Sequence, residues 1–340
     1  MRPSTRSGAL AGSGSASAGK KTPATVRALY DLVEAEVAGD PISGRCWLRR
    51  SLTKLKKALA EQGYQICPET IRRLLGQRDI RPKSNVKRLA AKSHPDRDSQ
   101  FSYIQSQVQM FKTAGWPIIS VDSKKKELIG PFKNAGRVWS KQATAVYSQD
   151  FPSDASGKAA PYGIYDLQRN LGYVYVGQSA DTPDFAVEAI ADWWHQVGRQ
   201  AYPQAPEILI LADGGGSNGY RCRRWKLQLQ QLFADRFGLS VTVCHYPTGA
   251  SKWNPIEHRL FSQISQTWAG TPLTSFDLLL ACIQATETKT GLKVQATLVE
   301  QVYQKGLKVT DAEMATLALQ RHTTCPDWNY TIRPRTSAGK

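Results

Sequence analysis

The sequence predicts an α/β protein: a mixed β-sheet flanked by helices, preceded by an all-α module. Three observations carry that prediction. From residue 116 onward, short apolar runs typical of buried strands alternate with amphipathic helical stretches. Two of those runs end at an aspartate, Asp122 and Asp213, and a third acid, Glu257, lies in the opening turn of a helix. Upstream, two short helical patterns across a glycine coincide with a dense block of positive charge.

Five segments follow from a pass along the chain. Residues 1–26 open on a Gly-, Ser- and Ala-rich stretch and predict a flexible tail. Residues 27–93 predict a helix-turn-helix module. A first short helix over 26–37 stops at Gly39-Asp40-Pro41. A second carries Leu48, Leu52, Leu55 and Leu59 at spacings of three and four. After Gly63 as C-cap, Pro68 opens a third helix whose apolar side holds Ile71, Leu74 and Leu75. Ser84 to Asp98 reads as a basic linker, and Phe101, Ile104, Val108 and Phe111 mark a linker helix within 94–115.

Residues 116–270 predict the catalytic core. The strand ending at Asp122 is followed by a candidate second strand over Lys133 to Trp139. Strands at 162–165 and 172–176 surround the turn at 169–171. A helix over 184–195, the Asp213 strand, a helix over 224–237, a strand over 241–244 and a helix from Pro255 to about Trp268 complete the order. Residues 271–340 read as a helical extension, with Thr274/Asp277 and Thr310/Glu313 as capping pairs.

Charge narrows the class of partner. The formal net charge is +17, and between Arg45 and Lys92 fourteen Lys and Arg face only Glu61, Glu69 and Asp79. Such a surface favours a polyanion through counterion release. Arg72 and Arg73 lie on the third helix of the module, and Lys54, Lys56 and Lys57 on the second, where a helix-turn-helix would meet DNA. A small helical bundle with a solvated face shares much of this pattern. The longest apolar stretches are too short to span a bilayer, and no apolar signal-peptide core stands at the N-terminus. Six cysteines without a CxxC pair argue against a zinc site or a disulfide framework. A cytoplasmic protein with reduced thiols and no membrane partner is the expectation.

Each acid has a plainer reading. Asp122 could cap a turn before the loop Lys124-Lys125-Lys126. Asp213, followed by three glycines, could accept backbone hydrogen bonds in a tight turn. Glu257, after Asn254 as N-cap and Pro255 at N1, sits where a capping-box acid belongs. Asp150, Asp154 and Asp166 compete on spacing alone. Joint occurrence favours chemistry. Phosphoryl transfer on two divalent ions about 3.5–4 Å apart needs several hard oxygen ligands from separate elements, and strand carboxyl ends are where open α/β sheets gather ligands.

The run from Ser120 through Asp122 to Gly130 resembles the first-acid motif of the Rhodopirellula-type DDE transposases of bacterial insertion sequences. Leu211-Ala212-Asp213-Gly214-Gly215-Gly216-Ser217-Asn218 resembles the second, and Cys244 through Lys252, Trp253-Asn254-Pro255-Ile256-Glu257 and Phe261 the third. The likeness continues through Thr288 to Leu292, ends near Trp328-Asn329-Tyr330, and covers roughly residues 27 to 333. It implies an RNase H-like fold and the triad Asp122, Asp213 and Glu257 as ligands of Mg²⁺ or Mn²⁺. It also implies cleavage of element ends and joining of the 3′-hydroxyl to target DNA. The implied partners are double-stranded DNA, as terminal inverted repeats and target, and further copies of the chain in a synaptic complex. Lys124 and Lys252 join the residues expected to contact DNA, and Asn218 and His245 those expected behind the acids. A catalytically inactive copy acting as a DNA-binding regulator is the competing class.

Overall fold

The computed structural model describes residues 23–39, 46–48, 51–82, 94–250 and 253–335. The tail over 1–22, the basic stretch 83–93 and Lys252 lie outside the described residues. The chain divides into two compact units, residues 1–89 and 90–340.

The first unit holds α1 (Pro23–Glu36), a short ribbon of β1 (Val37–Gly39) and β2 (Cys46–Leu48), α2 (Leu52–Glu61) and α3 (Pro68–Gln77). Ser51 caps α2 through its hydroxyl on the Lys54 amide at 3.2 Å. Gly63, at φ +85°, lets the Tyr64 amide return to the Leu59 carbonyl and end the helix. Leu29, Leu55, Leu59, Ile71, Leu74 and Leu75 form the core, so the apolar spacing in the sequence is the buried face. Lys54, Lys56, Lys57, Arg72 and Arg73 are exposed. Arg72 pairs with Glu69 at 3.2 Å on that open surface, a contact contributing ~0–1 kcal/mol.

The second unit is built on a nine-stranded sheet. After α4 (Arg97–Ala114) come β3 (Ile118–Ser123), β4 (Glu127–Ile129), β5 (Gly157–Asp166) and β6 (Leu171–Gly177). Helix α5 (183–201), β7 (Glu207–Ala212), α6 (223–237), β8 (Ser240–His245) and α7 (255–267) follow. The last elements are α8 (Phe276–Gln284), β9 (Lys293–Val299), α9 (Asp311–Ala315), β10 (Leu319–Arg321) and β11 (Asn329–Ile332). The strand order is β10-β11-β8-β7-β3-β5-β6-β9, with β4 on β5. β3, β7 and β8 run parallel, and β5 is antiparallel to both β3 and β6. That order and polarity, with helices on both faces, is an RNase H-like sheet.

Alternation along the strands separates two faces. Ile119, Val121, Ile208, Ile210, Ala212, Val241 and Val243 meet α5 and α6 on one side. On the other, Ile118, Leu209 and Leu211 meet Ile104 and Phe111 of α4. Val174, Val176 and Tyr165 meet Ile256, Leu260, Phe261 and Ile264 of α7 there too.

Three sequence expectations change. Residues 133–139 form no strand. Their backbone is committed to the loop after α7, with Gly270 N donating to Ala135 O at 2.8 Å. Gly136, at φ +110°, lies so close that an added Cβ would come within 2.7 Å of Ala269 Cβ. The tail beyond 271 is not a helical extension alone, because β9, β10 and β11 join the main sheet. Val294, Ala296 and Leu298 alternate with exposed Lys293, Gln295 and Thr297, a strand period rather than a helical one. Ser275, not Thr274, caps α8, whereas Thr310 and Glu313 do form a capping box.

Candidate active site

β3 and β7 pair in parallel register with Val121 beside Ala212. Asp122 and Asp213 are therefore the next residues on neighbouring chains about 4.8 Å apart. By parity both belong to the face on which α4 and α7 lie. Asp122 is half-buried and accepts from the Ser123 amide at 2.8 Å. Asp213 Oδ1 accepts from the Gly214 amide at 2.7 Å. Each carboxylate is thus oriented by the backbone that follows it.

Glu257 reaches the same edge through its helix. Asn254 is fully buried and spends its side-chain amide on β3: Oδ1 accepts from Ser120 Oγ at 2.5 Å, and Nδ2 donates to Asp122 Oδ2 at 3.3 Å. The Ile256 amide adds a bond to Ser120 Oγ at 3.4 Å. The helix start is tied to the strand two residues before the first acid. From Glu257 to Phe261 the helix is π-wound, a local widening common at functional sites.

Two bare positions on the sheet let α7 lie there. Gly163 sits directly opposite Asp122 on β5. A Cβ there would come within 2.5 Å of Phe261 Cε1 and 2.9 Å of Ile256 Cδ1. At Gly172 of β6 it would meet Leu260 Cδ1 at 2.4 Å.

Burial, followed by the field of Asp213, pushes the Asp122 carboxyl from its ordinary 3.8 up to about 7; Glu257 and Asp181 push the same way, and the Ser123 amide opposes them. Burial also raises Glu257, against the fields of His258 and Lys124 and with that of Asp213. Two further groups join the acids without a local motif to mark them. Asp181 accepts from Ser123 Oγ at 3.0 Å. Tyr162 is fully buried; among the described residues its hydroxyl has no hydrogen-bond partner, and burial with the fields of Asp122 and Asp181 holds it protonated. Only the folded sheet brings these two residues to the acids.

This donor set suits hard divalent cations. It consists of oxygens, and burial together with the fields of the neighbouring carboxylates pushes the Asp122 carboxyl up to about 7. As the side chains stand, no three His, Cys, Asp or Glu among the described residues gather tightly enough to hold an ion. The acids meet through their fields rather than at ligand distance.

Of the remaining sequence candidates, Asn218 is buried and donates to the Val121 carbonyl at 3.5 Å. His245 is buried between the Asp213 carbonyl, at 3.1 Å, and the Tyr330 hydroxyl; burial lowers its pKa to about 4, so it is neutral. Lys124 is engaged by Glu127 at 2.8 Å and lies 4.6 Å over the Trp268 ring. Asp166 falls out of contention. It pairs with Ile119, three residues down β3 from Asp122, and its carboxylate is taken by Tyr202 and two backbone amides. Asp150 and Asp154 are exposed on the loop at 150–156.

Residues 28–334 match the family model described as the Rhodopirellula transposase DDE domain. The chain belongs to this family. No curated protein matches the sequence. Solved structures similar to this DDE transposase family member include the Mos1 transposase paired-end complex with left transposon end. That match has 13% identity, covers 81% of this chain and 71% of that one, and has a TM-score of 0.39. The Mos1 mariner paired-end complex with Mn matches at 12% identity, the same shares and a TM-score of 0.38. The Mos1 strand transfer complex matches at 13% identity, 82% and 71% coverage and a TM-score of 0.38. Among the described residues of the transposase, no helix is long and apolar enough to cross a membrane.

Proposed function

We propose that this DDE transposase cuts the ends of an insertion sequence and joins the freed 3′-hydroxyl to target DNA, using Asp122, Asp213 and Glu257 to hold Mg²⁺ or Mn²⁺. The observation that carries the reading is the parallel register of β3 and β7, which sets Asp122 beside Asp213 at one sheet edge, with the Glu257 helix bonded to that strand through Asn254. When bound, the cations supply Lewis acidity for the attacking oxygen and the leaving oxygen.

In the first step, water attacks an end phosphorus and the bond to the 3′-oxygen breaks. In the second, that 3′-hydroxyl attacks a target phosphorus and displaces a target 3′-oxygen, so each P–O bond broken is matched by one formed. The chain's own part is placement. Ser123 and Gly214 amides aim the two aspartates. Asn254 holds Asp122 and the helix of Glu257 as one unit. Neutral His245 bonds the Asp213 carbonyl from below without adding charge. The exposed Lys54, Lys56, Lys57, Arg72 and Arg73 in the N-terminal unit supply the surface for terminal inverted repeats, and a synaptic complex would need at least two copies to pair two ends.

Asp122→Ala and Asp213→Ala test the reading. Both should abolish Mg²⁺-dependent nicking of an end substrate while leaving DNA binding nearly intact. Full cleavage by either variant removes the assignment. End binding by the native protein with no nicking in Mn²⁺ selects the regulator instead.

A further inference from the structure

A concavity of about 480 Å³ opens between residues 220–226 and 321–328. Its walls carry Arg221, Arg223, Lys226 and Arg321 against two carboxylates, Asp96 and Asp327, together with the rings of His94, Tyr220 and Trp328. Asp327 is paired with Arg321, Asp96 lies 3.6 Å from His94, and Arg223 is paired with Asp311. Lys226 differs from these. It is only 9% exposed, and among the described residues its ammonium rests on the Tyr330 ring, 5.1 Å away, with no carboxylate or carbonyl bonded to it. A buried ammonium so placed is costly, and here it faces a recess that would admit an anion.

The recess adjoins the acids. Tyr220 lies on the glycine-rich loop that follows Asp213 and stacks edge-on against His245 and Trp328, with 6.2 Å between centroids in each case. His245 bonds the Asp213 carbonyl on one side and the hydroxyl of Tyr330, beneath Lys226, on the other.

We propose that this recess binds one nucleotide of an unpaired DNA strand, its phosphodiester on Lys226 and Arg321 and its base against the aromatic wall of Tyr220, Trp328 and His94. The inference deepens the transposase reading and rests on it: the strand would be the one whose neighbouring phosphate is at the acids. Stacked bases in a duplex cannot offer a face to that wall, and a nearly covered ammonium is out of reach of a duplex backbone. Base-on-aromatic stacking is sequence-tolerant, as an enzyme working at varied flanking or target sequence requires.

The test compares the full-length protein and its Lys226→Met, Tyr220→Ala and Arg321→Ser variants by fluorescence anisotropy on two labelled DNAs. One is a blunt duplex, the other the same duplex with a three-nucleotide single-stranded overhang. Native protein should favour the overhang roughly ten-fold, and each variant should lose most of that preference while binding the blunt duplex as before. In a salt titration of the overhang DNA, Lys226→Met should lower the log–log slope by about 0.7. Lys226→Met nearly conserves volume and removes a buried charge, and Arg321 and Tyr220 are not in the core, so folding is kept and checked by melting. Equal affinity of native protein for the two DNAs, or an unchanged preference in all three variants, overturns the inference. Nicking of an end substrate is followed in parallel. Cleavage without overhang preference sinks this site alone, and overhang preference without cleavage sinks the catalytic reading alone.

Discussion

Asp122→Asn should stabilise the metal-free protein while destroying its activity. The Asp122 carboxyl is raised from 3.8 to about 7 by burial and by its acidic neighbours. A group whose folded pKa lies above its unfolded value costs no stability below the unfolded pKa. The penalty grows as pH rises through the interval and is complete above the folded pKa. About three pH units at ~1.4 kcal/mol each give a ceiling of roughly 4 kcal/mol near neutrality. Solvent access to a half-buried side chain reduces this to about 2–3 kcal/mol. The Asp122→Asn variant would keep the Ser123 amide bond but lose the donation from Asn254, worth about 0.5–1.5 kcal/mol. The net gain is about 1–2 kcal/mol, or roughly 2–8 °C in Tm. Calorimetry in EDTA at pH 8 should show it, and the gap should close near pH 4. Mg²⁺ or Mn²⁺ at a hundred times Kd should stabilise native protein by about 2.7 kcal/mol, read as a higher melting temperature, and leave the variant nearly unmoved. A variant less stable than native protein at pH 8, or equal stabilisation of both by the cation, would refute the burial and acidic field assigned to the Asp122 carboxyl.

Further outcomes follow from the contacts around the acids. Gly163→Val should push Phe261 and Ile256 off the sheet, costing about 1–3 kcal/mol and most of the nicking, while DNA binding by the N-terminal unit persists in gel shifts. Asn254→Ala should leave Asp122 and Ser120 short of a partner, at about 1–3 kcal/mol, and lower kcat more than end affinity in single-turnover cleavage. Arg72→Ala and Arg73→Ala should each weaken binding to terminal inverted repeats and reduce the salt slope by about 0.9; unchanged slopes would move the interface elsewhere.

Much of the candidate site was legible because its local signals are strong. Strands β3, β7 and β8 are short apolar runs bounded by Gly, Pro or Asp, so their ends, and the acids on them, could be located from sequence. Glu257 was ambiguous: Asn254-Pro255-Ile256-Glu257 reads equally as a capped helix start. Asn254 does stand at that start, yet its amide is bonded to Ser120 and Asp122, 134 and 132 residues away in the chain. Spacing could not reject Asp166 either; β-sheet register did, by moving it three residues down β3. The strand expected at 133–139 failed because Gly136 packs against Ala269 and Gly270 in the loop after α7, a contact invisible locally. The terminal strands are short, and β9, although its residues alternate, is held extended by pairing with β6, more than a hundred residues earlier in the chain.

By itself the sequence determined the alternation of strands and helices, the three acids, the basic N-terminal module and the family motifs, since all are written in residue type at short range. Tertiary structure alone decided which aspartates share an edge, why Gly163 and Gly172 are bare, and how Asp181 and Tyr162 join the acids. It alone also buries the Lys226 ammonium over an aromatic ring. Those depend on register and on packing between residues far apart in the chain, and a carboxylate's field or an ammonium's solvation has no value until its neighbours are in place.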